Sequence, residues 1–341
     1  MNRIFGMIVV LAATASSAPG QSEIRTDLQA RLRARVFAIR AIDTHDHLPP
    51  FDRLFGRIET GRGKRLTLFG ILSNGYLPQL TSIPAREPEQ PFDAWWARAK
   101  SSFDDVRATG FYRYNQIALR DLYGVDLNDL TDEQARDLDQ RIIENDRDDA
   151  WVNRVITERA NIALMVNDPY WGRFDFAPYY PFEAQVLNVT TLLDGFHPSE
   201  YAGKPSDDPY GFARRKGLPV ETLDDYLRVL DALFAEAKSH GAVGLKTTRA
   251  YQRTLAFANV PQPRAERAFG RRRSELSPEE VKDFEDFIMW QLTKRSARFG
   301  LPFQIHTGHG RLQGSNPLLL MDVIEANPDT KFVLFHGGFP W

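Results

Sequence analysis

Ala41-Ile42-Asp43-Thr44-His45-Asp46-His47-Leu48-Pro49-Pro50 decides how the rest of the chain is read. A short apolar lead-in runs into two histidines one residue apart, and two prolines end it. In an extended strand, residues i and i+2 share a face. His45 and His47 therefore aim their imidazoles the same way. Neutral imidazole is the commonest protein ligand for Zn²⁺ and related ions. Asp43 and Asp46 lie close enough to fix the tautomers of the rings, as ligating histidines usually require.

Three runs far downstream follow the same plan. Leu301 to Gly308 is an apolar run ending in His306, and Lys331 to Gly338 is another ending in His336. Between the first strand and these two, the apolar run from Val243 to Thr248 carries Lys246. The chain has seven histidines, and four of them finish apolar strand-like runs, a preference that scattered core histidines would not show. Polar ligands at the C-terminal ends of several parallel strands are how a (β/α)₈ barrel builds its active site.

These residues carry a family resemblance. His45-x-His47 on a first strand, His306 on a later strand and His336 on the next resemble the amidohydrolase superfamily. The segments Gly244-Leu245-Lys246 with Ala250-Tyr251-Gln252-Arg253, Gln304 to Gly308, and His336-Gly337-Gly338-Phe339-Pro340 resemble its amidohydrolase-related branch. The region from Phe92 to Asp168 is more weakly similar to the uronate isomerases. The resemblance covers about Ile42 to the end and implies a metal-dependent hydrolase on a TIM (β/α)₈ barrel.

Composition fits that picture. At 341 residues the chain is long enough for one barrel domain. A formal charge of -2 gives no reason to expect nucleic acid or an anionic membrane as partner. Without cysteine, disulfides and thiolate metal sites are excluded, so a metal must be held by nitrogen and oxygen. Residues 1–20, with Arg3 ahead of an apolar run and small residues after it, read as a secretory signal. The expected location is periplasmic or extracellular, with no stable membrane anchor. A small molecule is the expected partner, and homo-oligomerisation is left open.

Leu28, Leu32, Val36 and Ile39 recur at helical spacing, which predicts a packing helix before the first strand. Phe51 to Pro91, rich in Gly, Pro and Arg, predicts a long loop over the barrel mouth. Its Arg57, Arg62, Lys64 and Arg65 would meet an anion or stay solvated. Residues 92–160 predict a helical insertion, with Trp95 and Trp96 buried and Thr131 as a cap. Strands are predicted at 162–167, 185–189, 242–247, 302–306 and 331–336, separated by helices at 222–240, 278–299 and 316–326. With the first strand these make six of eight. The expectation is a barrel domain over 21–341 that is C-terminally incomplete and inactive as it stands. No residue matches the aspartate that ends the family's eighth strand.

The resemblance implies site roles. A bound divalent metal, zinc first with manganese or another open, would rest on His45, His47 and His306. His336 would bind a second metal or hydrogen-bond a developing oxyanion. Lys246 would be carboxylated and bridge two metals, or stay cationic and hold a substrate carboxylate. Arg253 suits carboxylate binding by its planar fork, and His309 suits substrate contact. His197 and His240 follow no strand and read as structural or exposed. The substrate would be small, carbonyl-containing and open to carrying a carboxylate. A uronate-isomerase-like or decarboxylase reaction on the same site, and a metal-containing binding protein without turnover, are the alternatives.

Overall fold

The computed structural model describes residues 19–169, 174, 176–203 and 208–341. The expected signal segment, through residue 18, lies outside them. Strand β1 (Ala41–Asp46) leads into a region that holds the hairpin β2 (Arg57–Thr60) and β3 (Gly63–Leu66). Strands β4 (Ile162–Asn167), β5 (Glu183–Asn188), β6 (Gly244–Thr247), β7 (Phe303–His306) and β8 (Phe332–Phe335) follow. Among the described residues one parallel sheet has the order β1-β4-β5-β6-β7-β8. Each strand is thus hydrogen-bonded to its predecessor in the sheet, with helices in the β1–β4, β5–β6, β6–β7 and β7–β8 crossovers, which is the winding of a (β/α) barrel. The sheet curls into a half-barrel, so that the His45 ring reaches within 4.6 Å of Phe335 from the opposite edge.

The helices are α1 (Pro19–Ala38), α2 (Leu68–Ser73), α3 (Phe92–Ala99), α4 (Gly110–Tyr123), α5 (Asp132–Asn145) and α6 (Ala150–Arg154). After β5 come α7 (Pro209–Lys216), α8 (Leu223–Ser239), α9 (Gln262–Ala265), α10 (Pro278–Phe299) and α11 (Met321–Glu325). Capping boxes start α5, α8 and α10, where Thr131 pairs with Gln134, Thr222 with Asp225, and Ser277 with Glu280. Each box satisfies two backbone N–H groups that a helix start leaves open.

The main core lies between the sheet and α8 and α10, with Leu245, Phe303 and Ile305 against Leu233, Phe284 and Ile288. The insertion has its own core around Leu68, Trp95, Tyr112 and Leu138.

Two expectations need correction. The stretch from Phe51 to Pro91 is not a structureless loop, because it folds as the β2–β3 hairpin and α2. Asp146 on the far side of the insertion holds it there, taking bonds from Nε and Nη2 of Arg57 at 2.8 and 2.7 Å and from the Leu66 N–H at 2.7 Å. Arg57 is therefore not a loose cation, and Arg62 pairs with Glu144. Helix α1 forms, but Leu28, Leu32, Val36 and Ile39 are all at least half exposed rather than packed. Its end is fixed instead by Asn161, whose amide donates to the carbonyls of Phe37 and Ile39. Among the described residues no helix is long and apolar enough to cross a membrane.

Candidate metal centre at the strand ends

Strand geometry delivers the four histidines to one place. The His45 and His47 rings stand 4.5 Å apart, those of His306 and His336 also 4.5 Å, and His45 lies 6.2 Å from His336. Lys246, fully buried at the end of β6, reaches to 3.3 Å from Nε2 of His45. Phe335 lies over its ammonium at 3.9 Å from the ring centroid. Tyr251 covers His306 from the next loop at 4.4 Å.

Hydrogen bonds assign the tautomers. Nδ1 of His47 donates to the carbonyl of Asp168 at 2.9 Å, which leaves Nε2 as the lone-pair nitrogen of a neutral ring. Nε2 of His306 donates to the carbonyl of His309, and its Nδ1 then accepts from Nε2 of His336 at 3.1 Å. Asp43 and Asp46 do not touch the rings. Their carboxylates accept from the backbone N–H groups of His45 and His47, tightening the turn out of β1.

Electrostatics favour neutral imidazoles. Burial, with the Lys246 charge behind it, holds the His45 pKa down at about 3. Burial likewise lowers His306 to about 4 and lowers His336. The same burial lowers Lys246 to about 8, against the pull of Asp168. A ring that refuses a proton keeps its lone pair for a metal.

Asp168 is the residue that the sequence pattern undervalued. It follows β4 directly, is fully buried, and is raised in pKa by burial. Asn188 donates to its Oδ1 at 2.8 Å, whereas Oδ2 is buried without a hydrogen-bond partner, as is Nδ1 of His45. Its position at a strand end, like that of the histidines, was the available signal.

Of the remaining expected site residues, His309 meets the cluster through its backbone carbonyl, and Arg253 lies apart from it. Nη1 of Arg253 pairs with Glu285 at 2.8 Å and Nη2 with Asp286 at 2.7 Å. It lines a separate cavity of about 710 Å³ beside Arg249 and Asp194. His309 is exposed and its ring packs 5.2 Å from Phe339. His197 caps a short turn through the Ser199 N–H, and His240 ends α8.

Among the described residues no three His, Asp or Glu side chains converge as they stand on a point that would hold a metal. His306 is the reason on one side, since both its nitrogens are engaged. The donors nevertheless suit a borderline-soft divalent ion in kind: neutral imidazoles, a buried carboxylate with an orphaned oxygen, and no thiolate to compete.

Residues 206–341 match the family model described as Amidohydrolase. No curated protein matches the chain significantly in sequence. Among solved structures, a uronate isomerase from Thermotoga maritima superposes with a TM-score of 0.65 at 14% identity, over 89% of this chain and 72% of that one. A glucuronate isomerase from Caulobacter crescentus gives 0.59 at 17% identity, over 87% and 68%. A protein from Lactobacillus casei, provisionally described as a metal-dependent hydrolase, gives 0.53 at 16% identity, over 91% and 70%. At these identities the likeness is one of fold. The family match is confined to the C-terminal part of the chain, from residue 206 on.

Proposed function

We propose, from the Amidohydrolase family matched over residues 206–341, that this protein is a metal-dependent hydrolase of a small carbonyl-containing substrate. The observation that carries the reading is the meeting of four strand-end histidines and a buried lysine in one cluster. A divalent metal, zinc by the donor set, would supply Lewis acidity and a source of hydroxide near neutral pH. His45 and His47 would hold it, joined by His306 once its bond to His309 is given up. Asp168, whose pKa burial raises, is placed to hold a proton 3.9 Å from Nδ1 of His47. Nε2–H of His336, now given to His306, is a donor for a carbonyl oxygen that gains charge. Phe335 and Tyr251 wall the cluster from water on two sides.

The fold likeness to two uronate isomerases favours a second reading, an isomerase on the same residues. Elemental analysis followed by a panel of esters, amides, lactones and uronates separates the two. Turnover of a uronate alone overturns the hydrolase. A protein that binds metal and turns over nothing would be a binding protein.

The Arg3-led apolar run supports export of the mature protein. Mass spectrometry from the native host should find a start near Gln21. An intact Met1 in the cytosolic fraction would overturn that.

A further inference from the structure

We infer that the substrate of this site carries an uncharged, mostly apolar body, seated between the β1 turn and the helical insertion. This rests on the reading above that the histidine cluster is the reacting centre. A cavity of about 410 Å³ opens directly beside Asp46 and His47, within the size range of small-molecule sites. Leu48, Pro49, Leu54, Phe55, Leu66 and Ile71 wall it, and Asn74, Tyr114 and Asn115 close the end contributed by the insertion.

The walls are fixed in place. Asn167 clamps Leu48 from both sides, accepting from its N–H at 2.9 Å and donating to its carbonyl at 2.8 Å. Tyr180 donates to the carbonyl of Pro49 at 3.0 Å. The backbones of Gly56 and Gly70 touch, which locks the segment bearing Leu54 and Phe55 against the helix bearing Ile71. At the far end Asn115 is buried and donates to the carbonyl of Phe111 at 2.9 Å, leaving its amide oxygen to accept from a ligand.

Among the described residues no lysine or arginine lines the cavity, and the one charged wall residue among them is Asp46. The nearby Arg57 has Asp146 as its partner, and Arg253 lies in the other cavity on Glu285 and Asp286. A carboxylate on the substrate would enter an apolar chamber without a counter-ion and beside a like charge, which is strongly unfavourable. A site built for anions presents a guanidinium fork instead. The geometry thus disfavours sugar acids and selects neutral acyl or aryl groups with one hydrogen-bonding tail.

The test uses the metal-loaded protein and two esters of equal length, 4-nitrophenyl hexanoate and the 4-nitrophenyl monoester of adipic acid. The neutral ester should show kcat/KM at least about 30-fold higher, the factor expected when one partner must bury an unpaired charge. Ile71→Arg, checked for folding by its melting curve, should lower the neutral rate and raise the acidic one. Leu54→Lys serves the same purpose if that variant does not fold. Calorimetry with hexananilide and adipic monoanilide runs in parallel. If neither ester turns over, the hydrolase reading fails, and the anilides alone decide: preference for the neutral one upholds the pocket, and equal or reversed affinity overturns it. If the acidic ester is the better substrate, the pocket inference fails while the hydrolase stands.

Discussion

Nζ of Lys246 lies 3.3 Å from Nε2 of His45, although the two residues are 201 positions apart in the chain. The contact joins β6 to the edge strand β1 across the concave side of the sheet. It places a buried amine against a buried imidazole, so at most one of them is comfortably charged.

That arrangement sets a pH dependence for the metal-free protein. Lys246 titrates at about 8 when folded and at 10.5 in its ordinary state. Between these values the unfolded chain binds more protons, so stability rises with pH across the window. Below pH 8 the full cost is present, on the order of 3 kcal/mol at pH 7. Lys246→Met should therefore be the more stable form at pH 7 without metal, and its advantage should shrink from pH 8 to 10.5. Urea titrations of both proteins decide this; an advantage independent of pH would sink it.

His45→Ala with His47→Ala should remove most of the bound metal. Their rings sit 4.5 Å apart on one strand, and each neutral ring contributes a lone pair. Loss of a ligand's supporting partner alone typically costs about 10–100-fold in metal affinity, and loss of two ligands costs more. Elemental analysis after dialysis is the measurement, and full occupancy in the double variant would remove both residues from the ligand set.

Glu280 predicts an acid limb of the same slope, set this time by a stabilising charge. The Ser277 N–H first, then Arg271 and the Ser277 hydroxyl, hold its carboxyl down at about 2 from the ordinary 4.5. A depressed carboxylate contributes stability that is complete above pH 4.5 and lost as pH falls towards 2. Glu280→Gln should melt below the native protein at pH 7, and the gap should close on acidification. A gap that is the same at pH 7 and pH 3 would assign the effect to something other than the charge on this cap.

Much of the sheet was legible because each strand is a brief apolar run that ends on a residue too polar to sit there without a purpose. His306, His336 and Lys246 are such residues, and the sheet brings all three to the cluster. Helix starts at Thr131, Thr222 and Ser277 were legible because a cap is a local signal. The failures share a non-local cause. Gly61 to Arg65 reads as loop, yet the hairpin holds through Arg57 and Asp146, 89 residues apart. Arg253 reads as a free fork because its partners Glu285 and Asp286 lie on a later helix. Asp168 is made conspicuous by burial and an orphaned oxygen, neither of which a linear pattern displays.

The contact between Gly56 and Gly70 gives the last prediction. Gly56 sits at φ 78°, a region that side chains other than glycine rarely adopt, and a Cβ on either residue would overlap the other's carbonyl oxygen. Backbone cannot swing away as a flexible side chain could. Gly70→Ala must push α2 off the hairpin approach or leave strain in place, a cost of about 3 kcal/mol at the upper end for overpacking. The displaced helix carries Ile71, so the cavity beside His47 should distort as well. The histidines are held by β1, β7 and β8 and should keep their metal. The expected result is therefore a lowered melting point and weakened hexananilide binding with metal content unchanged. Gly61→Ala is the control, because a Cβ there meets nothing within 4 Å and φ is not positive. If Gly70→Ala melts and binds like the native protein, the two backbones are not in contact in solution and the wall they form is not rigid. If it loses metal as well, the insertion and the metal centre are coupled more tightly than their separate cores imply.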